Sequence, residues 1–360
     1  MFLRILGGFV LLLALIWAVM YATATSALHD AEREPWPYGL GTLQELGARN
    51  DRRPPSKEAK EITRLAASLD LEEASPEDYV AAQISKKDDA IDEPPANVGL
   101  KGHEAPIAEL VRDAISAGDR IAWGQEGPPW QVNDVAYLLG AAALDRARNG
   151  DAARAWEDVH AIWMLARAIS AEPYGADNGL KMKRIANAVA RKLPPPAPAW
   201  AAELASFEPR RDTAAVIQQM TAARIGSNPS LPGPFVIFRP ISDWIEASNA
   251  RRSHAAAEAM AKAPRCRIDT AHDLPHAAET YRAARIDAEL EATAKVLALK
   301  NERARLGKWP PSLGDAGASR CAENHWIYAV KPGGKSMTLR MSWEVAAEPD
   351  TKAAALDFAY

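Results

Sequence analysis

Cys266 and Cys321 are the only cysteines among 360 residues. Two thiols offer three chemistries: a covalent bridge, metal ligation or redox exchange. Cys266 precedes a long helical pattern and Cys321 precedes two strand patterns, so a bridge would tie one segment to the next. In an oxidising compartment such a pair forms a disulfide. It would close a loop of about 55 residues and stabilise the fold by about 4 kcal/mol in the chain-entropy view. Two unpaired thiols are the alternative, and a zinc site drawing in His272 and His276 is the third reading. Pro275 stands between those histidines where the next helix starts, which takes them off a common helical face. Neither a metal nor a cofactor is therefore expected.

Catalytic patterns are missing. The chain has no Gly-x-Ser-x-Gly and no His-Glu-x-x-His, and His103-Glu104 lacks a second histidine. Gly39-Leu-Gly41 and Gly333-Gly334 read as turns rather than phosphate loops. Glu157-Asp158 and Glu289-x-Glu291 are one and two residues apart, spacings that do not share a helix face, so they read as solvated. Arg210-Arg211 and Arg251-Arg252 are basic doublets without interleaved aromatics. With a net charge of −4, they leave no case for nucleic acid.

Binding surfaces are a better prospect among the 11 tryptophans. Trp123 and Trp130 flank Gly-Gln-Glu-Gly-Pro-Pro, a loop able to present rings to a glycan or peptide, or to pack them under the next helix. Phe235 and Phe238 lie in the proline-rich stretch 226–240, which reads either as a loop covering the core or as an exposed membrane-facing or partner-facing patch.

The elements that position these residues begin with an anomaly. Hydrophobic residues make up 48% and mean hydropathy is −0.25, ordinary for a soluble chain. Yet Ile5 to Tyr21 carries no charge, and its helix would measure about 25 Å, near the lower limit for a bilayer. Ala22-Thr23-Ala24 fits a signal-peptidase site. The length of the run, with Trp17 and Tyr21 as interfacial anchors, points instead to an uncleaved signal anchor over 1–28. Arg4 precedes the span, whereas Arg33 follows it among Asp30, Glu32 and Glu34. The positive-inside tendency puts the N-terminus in the cytoplasm and residues 30–360 outside it.

Residues 29–56, rich in proline and glycine, read as a tether. Residues 57–263 read as a helical domain. Ile62, Leu65, Ala66 and Leu69 have helical spacing, and Ser75-Pro76 is an N-cap followed by proline at the first helical position. Val132 to Arg148 forms an apolar-faced helix, Asn149-Gly150-Asp151 a turn, and Ala155, Trp156, Val159, Ile162 and Trp163 the face of a second helix. This Gly-Asp-x-x-x-Ala-Trp hairpin resembles a tetratricopeptide (TPR) unit, but it does not recur, so the domain is expected to be TPR-like rather than an array.

Residues 264–360 change character. A long helix is expected with Ile286, Leu290, Ala294, Leu297 and Asn301 along one stripe, ending at Gly307. Two or more antiparallel strands should follow, among them His325–Val330 and Ser336–Val345 around Pro332-Gly333-Gly334. The passage Gly-Lys-Trp-Pro-x-Ser-Leu followed by Trp-x-Tyr is similar to type II pseudopilins. It also resembles uncharacterised single-pass bacterial membrane proteins carrying such a module after a helical domain. The resemblance implies a small α+β module. Pilins carry a glutamate in their first helix and Ile5–Tyr21 has none, so filament assembly is not expected.

The expected protein is thus mainly α, anchored to the membrane by its first helix, and a scaffold for other envelope proteins. The alternatives are an accessory of a pilin-like secretion or assembly system, and an unrecognised envelope hydrolase.

Overall fold

The apolar run near the start contains no proline, so nothing in it stops a helix. In the computed structural model α1 (Phe2–Arg33) continues unbroken through Ala22-Thr23-Ala24. The residues described are 2–49, 54–69, 71, 75–124, 131–172, 175–227, 237–263, 265, 276–314, 319, 321, 325–345 and 354–360. Leu6–Arg33 is long and apolar enough to cross a membrane, and its apolar side chains are exposed from Leu6 to Met20.

Within the stretch read as a tether, residues 36–46 dock on the body. Thr42 and Glu45 form a capping box for α2 (Leu43–Arg49): each side chain accepts the other's backbone N–H at 3.0 Å. Trp36, Leu43 and Leu46 are buried, and Trp36 packs edge-on against His254. Proline and glycine here shape a tight loop, and the aromatic and leucines between them supply the apolar surface that makes it dock.

Four-residue apolar spacing builds the helical body. It comprises α3 (Lys57–Ala67), α4 (Pro76–Ser85), α5 (Glu104–Ala117), α6 (Gln131–Arg148), α7 (Ala152–Ser170) and α8 (Ala176–Ala190). Ser56 caps α3 by accepting the Ala59 N–H at 3.0 Å. Pro76 opens α4 as expected, but the Ser75 side chain makes no capping bond. Gly150 turns the chain between α6 and α7 at φ +84°, a conformation that excludes most side chains, and Asp151 caps α7. Val135, Leu138, Leu139, Trp156, Ile162 and Trp163 join one large core with Ile62, Leu110 and Ile185.

Two further helices, α9 (Pro209–Ser227) and α10 (Arg239–Lys262), follow, and α10 packs along α1. The long helix is α11 (Ala277–Leu306), stopped by Gly307 at φ +70°. Its buried surface has two faces. Ala284, Ala288, Ala292 and Val296 meet the sheet, while Ile286 and Leu290 meet Leu180 and Phe207 of the helical body. The expected stripe is therefore corrected in part: Ala294 and Asn301 are exposed, and Asn301 reaches out to accept the Ala197 N–H at 2.9 Å.

The sheet is antiparallel in the order β1 (Trp326–Val330), β2 (Met337–Met341) and β3 (Asp357–Ala359). Leu339 lies opposite Tyr328 on one side and Phe358 on the other. Met337, Leu339 and Met341 alternate inward onto α11, as a half-buried strand requires.

Candidate functional site

The body and the C-terminal module meet in a seam, and the seam is basic. Along α8 and just past its end, Lys181, Arg184 and Arg191 recur at helical spacing. From α11, Arg285 and Glu289 are four apart and so lie on one face. The chain just past α4 adds Lys86 and Lys87, and β3 adds Asp357 and Phe358. Together they line a cleft of about 500 Å³.

Its lysines are each paired with a separate carboxylate: Lys86 with Asp92 at 2.5 Å, Lys87 with Asp357 at 2.7 Å and Lys181 with Asp177 at 2.7 Å. Two of the arginines share one. Arg184 grips Glu289 with two bonds of 3.0 and 3.1 Å, and Arg285 approaches the same carboxylate at 3.6 Å. Arg191 donates to Thr293 Oγ1 at 2.8 Å and to the Glu289 carbonyl at 3.4 Å, with its guanidinium over the Phe358 ring. Burial pushes the Glu289 carboxyl up, but the three guanidinium groups outweigh it and hold it below the usual carboxylate range. Burial also lowers the Arg191 pKa. Three cations around one anion leave a cleft suited to a further carboxylate or phosphate.

The seam is held shut behind this cleft. Lys300 of α11 donates to Asp89 at 2.6 Å and to the Arg191 and Leu193 carbonyls, and it lies over the Tyr360 ring. Lys192 donates to the Lys86 and Asp88 carbonyls, and burial pushes its pKa down to about 8. The Ala359 N–H donates to the Lys87 carbonyl, joining β3 to the α4 loop.

The carboxylates read as solvated divide. Glu157 is exposed, but Asp158 is wholly buried and paired with Arg146; burial pushes its carboxyl up to about 7. Glu291 is buried and Glu289 half-buried at the cleft, on different sides of α11. Glu291 accepts from Trp326 Nε1 at 2.8 Å and Ser319 at 3.2 Å, and Lys295 lies 3.4 Å away. The cause is tertiary: a face that would be wet on a lone helix is covered when α11 is packed on two sides.

Of the residues singled out from sequence, Trp123 is 2% exposed and belongs to the core, so its ring is not offered to a ligand. Trp130 and Phe235 lie outside the described residues, and Phe238 is exposed. Cys321 is disulfide-bonded and buried; the chain's other cysteine, Cys266, lies outside the described residues, as does His272. Cys321 Sγ is 3.3 Å from Glu291 Oε2, a contact and not a donated bond, since a disulfide sulfur has no proton. His276 precedes α11, its Nε2 3.0 Å from Ser253 Oγ. Sequence reasoning missed the arginine cluster, although Arg184 and Arg191, seven apart on one helix, were a readable signal.

No protein family, curated protein or solved structure matches the chain.

Proposed function

We propose that this chain is a membrane-anchored interaction protein of the bacterial envelope, holding an acidic segment of another envelope protein in the seam cleft. The observation that carries this reading is an open cleft in which Arg184 and Arg285 share the Glu289 carboxylate and Arg191 stands beside them on the Glu289 carbonyl. The anchor reading is supported by α1, whose helix runs past the small-residue stretch while Ala24 and Ala31 are buried. Cleavage after Ala24 would remove the apolar run together with the buried Ala24. The N-terminus lies in the cytoplasm and the body in the periplasm. The α6–α7 hairpin is TPR-like packing, and the scaffold role draws on it.

Calorimetric titration of the full chain in detergent with a short polyglutamate peptide tests the reading. Binding should appear at low salt, weaken as salt rises, and drop about tenfold or more when Arg184→Met is combined with Lys181→Glu. A polylysine peptide should not bind. Absence of polyglutamate binding at low salt, or an unchanged affinity in the double variant, would overturn it.

A second reading, an accessory of a pilin-like secretion or assembly system, draws on the long helix stopped at Gly307 and laid across an antiparallel sheet.

A further inference from the structure

Just before α10 and along its first two turns, apolar side chains stand uncovered by the described residues. Ile237, Phe238, Ile241, Trp244 and Ile245 are each 48–59% exposed. Single exposed apolar residues need no explanation, but five within nine positions form a patch. Positions 241, 244 and 245 recur at helical spacing, so they stand on one face.

What covers this face follows from its neighbour. α1 and α10 run side by side in the same direction, and their contacts step upward together. Trp17 Nε1 donates to the Ile237 carbonyl at 2.9 Å, and Arg239 lies over the Tyr21 ring. Thr25 donates to Asp243 at 3.3 Å, Arg251 to the Ala27 carbonyl, and His254 Nε2 to the Pro35 carbonyl at 2.9 Å. The patch therefore sits beside residues 17–25 of α1, where its exposed apolar run ends at Met20 and polar residues begin. Trp17 and Tyr21, stacked at 5.3 Å, mark the same level. Along the exposed stripe of α10 the chemistry then changes: after Ile241, Trp244 and Ile245 come Ser248, Arg251 and Arg252, all exposed.

We infer that the first turns of α10 form a wedge seated in the lipid at the outer face of the membrane, at the boundary of acyl chains and headgroups. The inference rests on α1 spanning the bilayer. An apolar end followed by a basic one, beside a belt of tryptophan and tyrosine, is the pattern of a helix crossing from acyl chains into phosphates. Arg239 at the lower end reaches the headgroup level by extending its long side chain past Tyr21. The wedge gives the body a second point of attachment beside the span and so sets its tilt on the membrane.

The test uses the full chain in vesicles of phosphatidylethanolamine and phosphatidylglycerol. A nitrobenzoxadiazole fluorophore is placed on Ile241→Cys, Trp244→Cys or, as control, the exposed Lys262→Cys, about 30 Å further along the helix. Labelling without reductant leaves the Cys321 disulfide intact. Probes at 241 and 244 should emit to the blue of the control and lose most of their intensity to lipids bearing a nitroxide high on the acyl chain. Carbonate extraction is run on the same samples. If the chain resists extraction but the probes at 241 and 244 match the control, the wedge is overturned and the anchor stands. Release of the chain by carbonate would overturn the anchor and the wedge together.

Discussion

Glu289 is the residue on which the seam turns, because three arginines depend on it. Glu289→Gln keeps the shape and removes the charge, leaving Arg184 and Arg285 without their shared counter-ion at the cleft wall. It should destabilise by about 1–2 kcal/mol, read from denaturant melts, because solvent reaching the cleft screens part of the unpaired charge. Asp158 behaves in the opposite sense. Burial raises its carboxyl to about 7 against an ordinary 3.8, so the folded chain holds a proton that the unfolded chain has lost. That stability is full below about pH 4 and is lost as pH rises through about 7. The loss amounts to something on the order of 4 kcal/mol. Melting temperature should therefore fall between pH 5 and pH 8, and Asp158→Asn should flatten the slope. An unchanged slope in the variant would rule out this carboxyl as its source. Neither role was legible locally: Glu157-Asp158 and Glu289-x-Glu291 look alike as strings, and only the neighbouring helices separate the wet member from the dry ones.

At the scale of elements, close approach decides which helices pair. A Cβ on Gly179 would lie 2.1 Å from Ser170 Oγ and 2.9 Å from the Ala166 carbonyl oxygen, so α8 can cross α7 here only without a side chain. Gly179→Ala should destabilise by about 2 kcal/mol despite alanine's helix preference. Gly140, on α6, is the contrast: its Cβ would meet Val80, Ile185 and Val189 at 3.4–3.5 Å, which is ordinary contact. Gly140→Ala should be neutral or stabilise by up to about 1 kcal/mol, and thermal melts of the two variants would reveal the difference. Helices with leucine and isoleucine on one face were readable, as Ile62, Leu65 and Leu69 demonstrate. The sheet-facing side of α11 was not, because Ala284, Ala288 and Ala292 are too small to register as an apolar stripe. Their smallness is what lets the sheet pack closely. β3 went unseen for a related reason: three residues are too few to show alternation.

At the scale of the whole molecule, the apolar helix α1 and the exposed start of α10 lie side by side, while α4, α8, α11 and β3 line the seam cleft. If the N-terminus is cytoplasmic, an alkaline phosphatase reporter fused after Tyr360 should be active and a green fluorescent protein fused there dark; the reverse pattern would invert the topology. The sequence by itself determined the apolar first helix, the helical body and the presence of a small sheet. Those follow from composition and from periods of 3.6 and 2, which act over a few residues. Tertiary structure alone decided the rest: that residues 36–46 dock, that Trp123 is core, and that arginines about a hundred residues apart converge on Glu289. Burial and charge pairing depend on which faces meet, and that is set by the packing of the whole chain.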